Sequence, residues 1–255
     1  MKKSNNNKER QNNNTARNKN NNKSRKKSER ISKVIARSTP YSRRQVEQLI
    51  YDGRIRIDGK IIDKPGINVS KENTVQLDKK NIPFNSIDEI YLFHKPRGCL
   101  VTHSDPKNRK TIFDFLPRKL DKVISIGRLD YNSEGLILLT NNGNIKRKFE
   151  LPQNNFERIY RVKVQGKIDT KIIDKFKKGF YTKGIKYKPI IAKLESSSDT
   201  YCWLQMSLRE GKNREIRNIF ESINMTVTRL IRISYGPYKL GKLQKGKLKK
   251  VNLIG

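Results

Sequence analysis

The sequence predicts an α+β protein: a small helical module with a hairpin, then a larger domain on a mixed, largely antiparallel sheet. Two observations carry this. From residue 90 onward, short apolar runs (90–93, Ile124–Ile126, 136–139) alternate with loops and a few helical stretches, with no regular strand–helix alternation and no internal repeat. Ahead of them, residues 29–80 show helical periodicity followed by a tight-turn pattern.

The chain has 255 residues, enough for two modest domains, and a hydrophobic content of 34%, low for that length. There are 58 Lys and Arg against 24 Asp and Glu, a net charge of +34. Such a cation repels itself unless a polyanion compensates it. The apolar runs fall far short of the ~20 residues that span a bilayer, and no secretory h-region stands near the start. The indicated partner is therefore nucleic acid, with no membrane, and the expected location is the cytoplasm. Two cysteines far apart, Cys99 and Cys202, fit a reducing compartment. Two histidines, His94 and His103, give too few ligands for a zinc site, so no metal is expected. No P-loop or dinucleotide-binding glycine pattern occurs, so no nucleotide cofactor is expected either.

Residues 1–28 hold ten basic residues, ten asparagines and one acid, Glu9, with almost nothing apolar. This reads as a disordered basic arm, and its lack of an apolar face argues against a transit peptide. In residues 29–88, Ile31, Val34 and Ile35 recur at helical spacing. Ser42 followed by Gln45 is a capping-box pattern opening a second helix with Val46, Leu49 and Ile50 as its stripe. Arg43 and Arg44 fall in that helix's first turn, where the dipole disfavours cations. With Arg54 and Arg56 they read as a phosphate-contacting face, against the commoner reading of solvated surface charge. Arg54 to Ile57, then Asp58-Gly59, then Lys60 to Ile62, reads as a hairpin that puts both arginines on one side. A charged, turn-rich stretch over residues 78–88 is expected to link this module to a domain over 89–255.

The stretch that carries chemistry is GRLDYNSEGLILLTNNG, residues 127–143. An apolar strand runs into a loop holding Arg128 and Asp130, and a second apolar run leaves it and stops at an Asn-Gly turn. An acid between two buried strands sits on rigid supports. On spacing alone, the favoured reading of Asp130 is a turn residue bonding its own backbone.

Two resemblances bear on this. RISKVIARSTPYSRRQVEQLIYDGRIRIDGKII resembles the S4 RNA-binding domain, which implies RNA binding without implying any chemistry. GRLDYNSEGLILLTNNG resembles the catalytic motif of ribosomal RNA pseudouridine synthases of the RsuA and RluB type. HKPRG (94–98), ERIYRVKVQG (157–166), REGKNREIRNIF (209–220) and VTRLIRISYGPYKLGKL (227–243) resemble that family's other motifs in the expected order, leaning to the RluB-like, large-subunit branch. Ser133 stands where the family often has Thr, Asn142 where Asp is frequent, and His94 where Asn is common.

That resemblance implies a uridine-to-pseudouridine isomerase acting on structured ribosomal RNA, free or in a pre-ribosomal particle, working as a monomer without cofactor. The reaction breaks the bond from uracil N1 to ribose C1′, turns the base and rejoins it through C5. No water enters and no redox change occurs, so one ionised carboxylate suffices where a glycosidase needs two. By resemblance that carboxylate is Asp130, either attacking C1′ or removing a ribose proton. Its difficulty is desolvation beside RNA phosphates, which a nearby arginine relieves. The resemblance assigns that role to Arg217; the bland alternative is an i,i+4 pair with Glu221. By spacing, Arg214 and Arg217 share one helix face. Tyr160 is expected to pack on the uracil, Leu230 to close the pocket, and Arg128 to help extrude the uridine. Lys95, Arg97, Lys212 and Arg214 join the module's arginines as expected RNA contacts. A non-catalytic ribosome-assembly factor is the competing reading, and it makes Asp130 dispensable. DNA binding lacks any recognition-helix arrangement.

Overall fold

The computed structural model describes residues 28–84, 87–120 and 122–254. The arm expected over residues 1–28 lies outside them, Ser28 excepted. The chain forms two compact units, one ending at Ser86 and the other running from Ile87.

In the first unit, β1 (Glu29–Arg30) leads directly into α1 (Ile31–Ser38), and α2 (Arg43–Tyr51) follows. α2 starts where the sequence pattern places it. The Ser42 hydroxyl accepts the Gln45 N–H at 3.3 Å, and the Gln45 side chain accepts the Ser42 N–H at 2.8 Å, satisfying two orphan donors. The two helices bury Ile31, Val34 and Ile35 together with Val46, Leu49 and Ile50. β2 (Ile55–Ile57) and β3 (Lys60–Ile61) form the expected hairpin, with Asp58 and Gly59 both at positive φ, 49° and 82°. β4 (Asn68–Val69) returns to β1, while β5 (Val75–Leu77) and β6 (Lys80–Asn81) complete a sheet of order β3-β2-β5-β6. The expected linker over 78–88 is therefore mostly structured. Its first part is β6, and Ile82 and Phe84 pack on this unit's core. At its far end, Asn141 and Asn142 hydrogen-bond to Ile87, Asp88 and Glu89 in the second unit.

The second unit holds β7 (Ile90–Lys95), β8 (Ile124–Ile126), β9 (Glu134–Thr140), α3 (Gly143–Glu150), β10 (Arg158–Gln165) and α4 (Thr170–Phe176). A small hairpin, β11 (Phe180–Thr182) and β12 (Ile185–Tyr187), precedes β13 (Ile191–Ser197) and β14 (Tyr201–Leu208). α5 (Glu215–Ser222), β15 (Val227–Tyr235), β16 (Tyr238–Lys239) and β17 (Leu248–Val251) close it. Its main sheet has nine strands in the order β13-β14-β10-β15-β9-β7-β17, with β16 on β15 and β8 on β9. Among the described residues only the β9–β15 pairing in that sheet is parallel, so the sheet is mixed and largely antiparallel.

β9 reads as an unbroken apolar run because both of its faces are covered. Leu136 and Leu138 enter a core with Ile145 and Phe149 of α3, while Ile137 and Leu139 enter another with Phe93, Cys99 and Ile112. β10 and β14 alternate instead. Val162, Val164, Leu204 and Met206 pack against Phe176 of α4 and Ile219 and Phe220 of α5, leaving Arg161 and Tyr201 exposed.

One local expectation is corrected here. Asn142-Gly143 does not turn the chain back into a strand. The Asn142 side chain accepts the Asn144 N–H at 2.8 Å and caps α3, because a short polar side chain ahead of Ile145 and Phe149 starts a helix more readily than a hairpin.

Candidate active site

β8 and β9 hold between them a loop of residues 127–133. Gly127 enters it at φ 69° and gives its N–H to Glu150 at 2.7 Å. Leu129 is buried and anchors the loop from below, while Arg128 is exposed and Asp130 half-buried. The Asp130 carbonyl accepts the Ser133 N–H at 3.0 Å, which closes a turn. Among the described residues, no hydrogen bond engages its carboxylate, so the turn-residue reading accounts for its backbone and leaves its side chain unassigned.

The far side of the loop is fastened by a cation that the sequence analysis assigned elsewhere. Lys95, expected to contact RNA, is fully buried at 0% exposure. Its ammonium donates to the carbonyls of Pro96 (3.1 Å), Tyr131 (3.3 Å) and Ser133 (2.8 Å). Burial pushes its pKa down, opposed by the acidic groups of Cys99, Asp130 and Glu134. Lys95 therefore offers no surface to a ligand and acts as an internal tie. Beside it, the Gly98 N–H donates to the Tyr131 carbonyl at 2.9 Å. Glu134 is also buried. Burial alone would raise its pKa, but Arg229 at 2.5 Å and Lys245 at 2.9 Å hold it below the usual range.

Asp130 opens on a cavity of about 860 Å³ that Arg128, Tyr160, Lys212 and Arg214 also line. Tyr160 stands on β10 opposite Arg232 of β15. The register shifts between Ile159 and Tyr160, with Ile233 as the extra residue on β15. Residues three apart on a regular strand face opposite ways, but this bulge lets Arg232 and Tyr235 both face the cavity. Gly135 is the other local necessity. It lies at φ 108° where β9 meets β15, and a Cβ there would stand 2.3 Å from the Arg232 carbonyl oxygen.

Arg217 does not line the cavity but packs behind its loop. It is half-buried, and Nη1 donates to the Val227 carbonyl at 2.8 Å and Nη2 to Asn132 at 3.3 Å. Its Nε is buried without a partner among the described residues. Burial lowers its pKa, as do Arg214 and Arg97, while Asp130 and Glu221 oppose them. Glu221 is occupied by Lys183 at 2.9 Å and Arg214 at 3.3 Å, so the i,i+4 pair with Arg217 does not form. Arg214 precedes α5 as its N-cap at φ 50°, so it shares no helix face with Arg217. Leu230 is a further correction. It is 6% exposed, paired with Val162 and packed in the core rather than in the cavity wall.

The remaining cations fall in several settings. Arg97 is exposed, and so are Arg43 and Arg44 in the first unit. Arg54, expected to face phosphate, is held by Asp78 at 2.5 Å, and Arg56 donates to the Gly59 carbonyl at 2.9 Å. Lys212 pairs with Glu210 at 3.1 Å. His94, in place of the family's usual Asn, places Nδ1 2.7 Å from the Leu243 carbonyl; Nδ1 must be the donor, and Nε2 has no partner among the described residues.

Sequence reasoning missed Arg158, Arg232, Tyr235 and the Asp105–Arg109 pair at 2.7 Å, all lining the cavity. Alternation with Tyr160 could have found Arg158; nothing local marks the others. Among the described residues, no group of three His, Cys, Asp or Glu could hold a metal ion, and no helix is long and apolar enough to cross a membrane.

Residues 89–222, which include Asp130, Tyr160 and Arg217, match the RNA pseudouridylate synthase family. The chain belongs to that family. It is an RNA pseudouridine synthase, an isomerase of uridine, and residues 29–75 match the S4 domain. The synthase is 41% identical over 224 residues to an uncharacterized RNA pseudouridine synthase of Rickettsia felis, covering 88% of this chain and 97% of that one. It is 36% identical over 222 residues to the ribosomal large subunit pseudouridine synthase B of Haemophilus influenzae, covering 84% of this chain and 62% of that one. A crystal structure of a pseudouridylate synthase superposes with a TM-score of 0.61 at 25% identity, covering 88% of this chain and 96% of that one.

Proposed function

We propose that this synthase isomerises a specific uridine of large-subunit ribosomal RNA with Asp130 as its one reacting carboxylate, acting as a cytoplasmic monomer on structured RNA. The observation that carries the reading is the placement of Asp130: a carboxylate without a hydrogen bond among the described residues, on a fastened loop, opening on a cavity with Tyr160 in its wall. The likeness to the large subunit enzyme of Haemophilus influenzae supports the choice of RNA.

In this reading the uridine leaves its stack and enters the cavity, because the reacting bond is out of reach inside a helix. Its base packs on the Tyr160 ring, a contact worth roughly 1–3 kcal/mol. Arg128, exposed at the loop's entrance, helps extrude it. The Asp130 carboxylate then either adds to C1′ or takes a ribose proton as the N1–C1′ bond breaks. The uracil turns and C5 bonds to C1′ as the Asp130–C1′ bond breaks or, on the other route, as Asp130 returns the ribose proton. The C5 proton is then lost and N1 gains one, so the product is an isomer and the carboxylate is free again. Arg217, from behind the loop, keeps the carboxylate charged while water is excluded. Arg97, Lys212 and Arg214, with Arg43, Arg44 and Arg56 of the S4 domain, supply cations for phosphates. The first unit is read as the RNA-binding domain and the second as the catalytic one.

Pseudouridine maps of ribosomal RNA from cells with and without the gene test this. One large-subunit position is expected to revert to uridine in the deletion; identical maps refute it.

A further inference from the structure

The role given to Asp130 leaves one part of the cavity unexplained. Across the β10–β15 pair, Arg158 stands opposite Tyr235 and Tyr160 opposite Arg232. The two guanidiniums converge on one ring, with their central carbons 4.5 Å (Arg158) and 5.0 Å (Arg232) from the Tyr235 centroid. Arg158 donates to the Phe156 carbonyl at 3.0 Å and to the Tyr235 hydroxyl at 2.9 Å. Arg232 is 2% exposed. Its Nε donates to the Leu136 carbonyl at 2.7 Å, and its Nη2 is buried with no partner among the described residues.

None of these partners is an anion. Glu150, a cavity carboxylate at the end of α3, is engaged by the Gly127 N–H at 2.7 Å and by Lys146 at 3.5 Å. A buried guanidinium without a counter-charge is costly, and a second one beside it adds repulsion. The aromatic ring and one carbonyl offset only part of that. Such a site is built for an anion that arrives with a ligand.

We propose that Arg158 and Arg232, set about Tyr235, form a subsite for one backbone phosphate of the substrate RNA beside the target uridine. Arg158 makes the direct contact, and Arg232 supplies the second positive charge from the cavity wall. Two cations suit a phosphodiester better than a neutral uracil oxygen, and the planar guanidinium matches its paired oxygens. The bulge at Ile233 creates the subsite, since regular alternation would turn Arg232 away from Tyr235. The inference rests on the reading that Tyr160 takes the base. Arg232 lies across from Tyr160 and Arg158 two residues before it, so the phosphate falls within a nucleotide of that ring.

The test is a synthetic RNA spanning the modified uridine, with single neutral methylphosphonate linkages placed one at a time around it. One linkage is expected to weaken binding by the wild type about tenfold, and to leave the already weakened Arg158→Gln unchanged. Arg158→Lys, which keeps a charge, is expected to regain part of that sensitivity, and it serves in place of Arg158→Gln should the latter misfold. The subsite is overturned if every linkage affects Arg158→Gln as it affects the wild type, or if no single linkage matters to the wild type. Conversion of uridine by the wild type in the unmodified RNA is scored in parallel. Its absence sinks the proposed function, whereas normal conversion without a linkage effect sinks the subsite alone.

Discussion

The Lys95 ammonium donates to the Ser133 carbonyl at 2.8 Å, tying the end of β7 to the loop that carries Asp130. Three carbonyls share this one donor group, and no solvent reaches it. Lys95→Met keeps the volume and leaves the Ser133 carbonyl without its donor, at roughly 1–3 kcal/mol for a buried group, while the Tyr131 carbonyl keeps the Gly98 N–H and the Pro96 carbonyl the Cys99 thiol. The melting temperature is expected to fall by several degrees and turnover to fall with it, with RNA affinity little changed. A variant as stable and active as the wild type, by calorimetry and pseudouridine assay, would show that the tie is unimportant.

Gly135 cannot be replaced. Its φ of 108° and the Arg232 backbone 2.3 Å from any Cβ mean that Gly135→Ala must part β9 from β15. The expected loss is at least ~3 kcal/mol, readable as a lowered urea midpoint or as insoluble protein. Wild-type stability in this variant would contradict the close approach.

The segment leading into α5 carries a titratable pair. Glu215 is buried, and burial together with the neighbouring Glu210 pushes its pKa up to about 8. Its carboxylate accepts the Lys212 N–H at 3.2 Å, while Glu210 accepts the Lys188 N–H and pairs with Lys212. A carboxyl whose folded pKa lies above its unfolded value binds its proton more tightly when folded. Its contribution is complete below about 4.5 and is lost as pH rises through about 8. The melting temperature is therefore expected to drop between pH 5 and 8 by a margin that Glu215→Gln removes. Parallel profiles for the two proteins would refute this.

Arg217 bridges the Val227 and Asn132 carbonyls from behind the loop. Arg217→Lys keeps the charge but cannot span both acceptors, so it is expected to lose about 10²-fold in turnover with little change in RNA affinity. Single-turnover kinetics separate the two quantities. Equal loss in both would make Arg217 a binding residue instead.

What the sequence disclosed was whatever is local. The Ser42–Gln45 box, the Asp58-Gly59 hairpin and the doubly buried β9 each follow from neighbours a few residues apart. Lys95 was misread because a lysine in so basic a chain looks like surface. Its burial depends on carbonyls at Tyr131 and Ser133, brought up only by the fold. Arg232 was unreadable for a related reason: a single bulge at Ile233 decides which way it faces. Leu230 follows the alternation of β15 into the core, where the resemblance had suggested the pocket. Asp130 was legible only as a resemblance, since a half-buried Asp in a turn has no signature of its own.

The central claim concerns that carboxylate. Pseudouridine formed in ribosomal RNA from the deletion strain, by purified wild type and by Asp130→Asn, measures it directly. The wild type should convert one uridine per RNA. The variant should convert none while binding that RNA with unchanged affinity, since the substitution keeps shape and removes only charge. Pseudouridine appearing at the wild-type rate with Asp130→Asn would contradict the account.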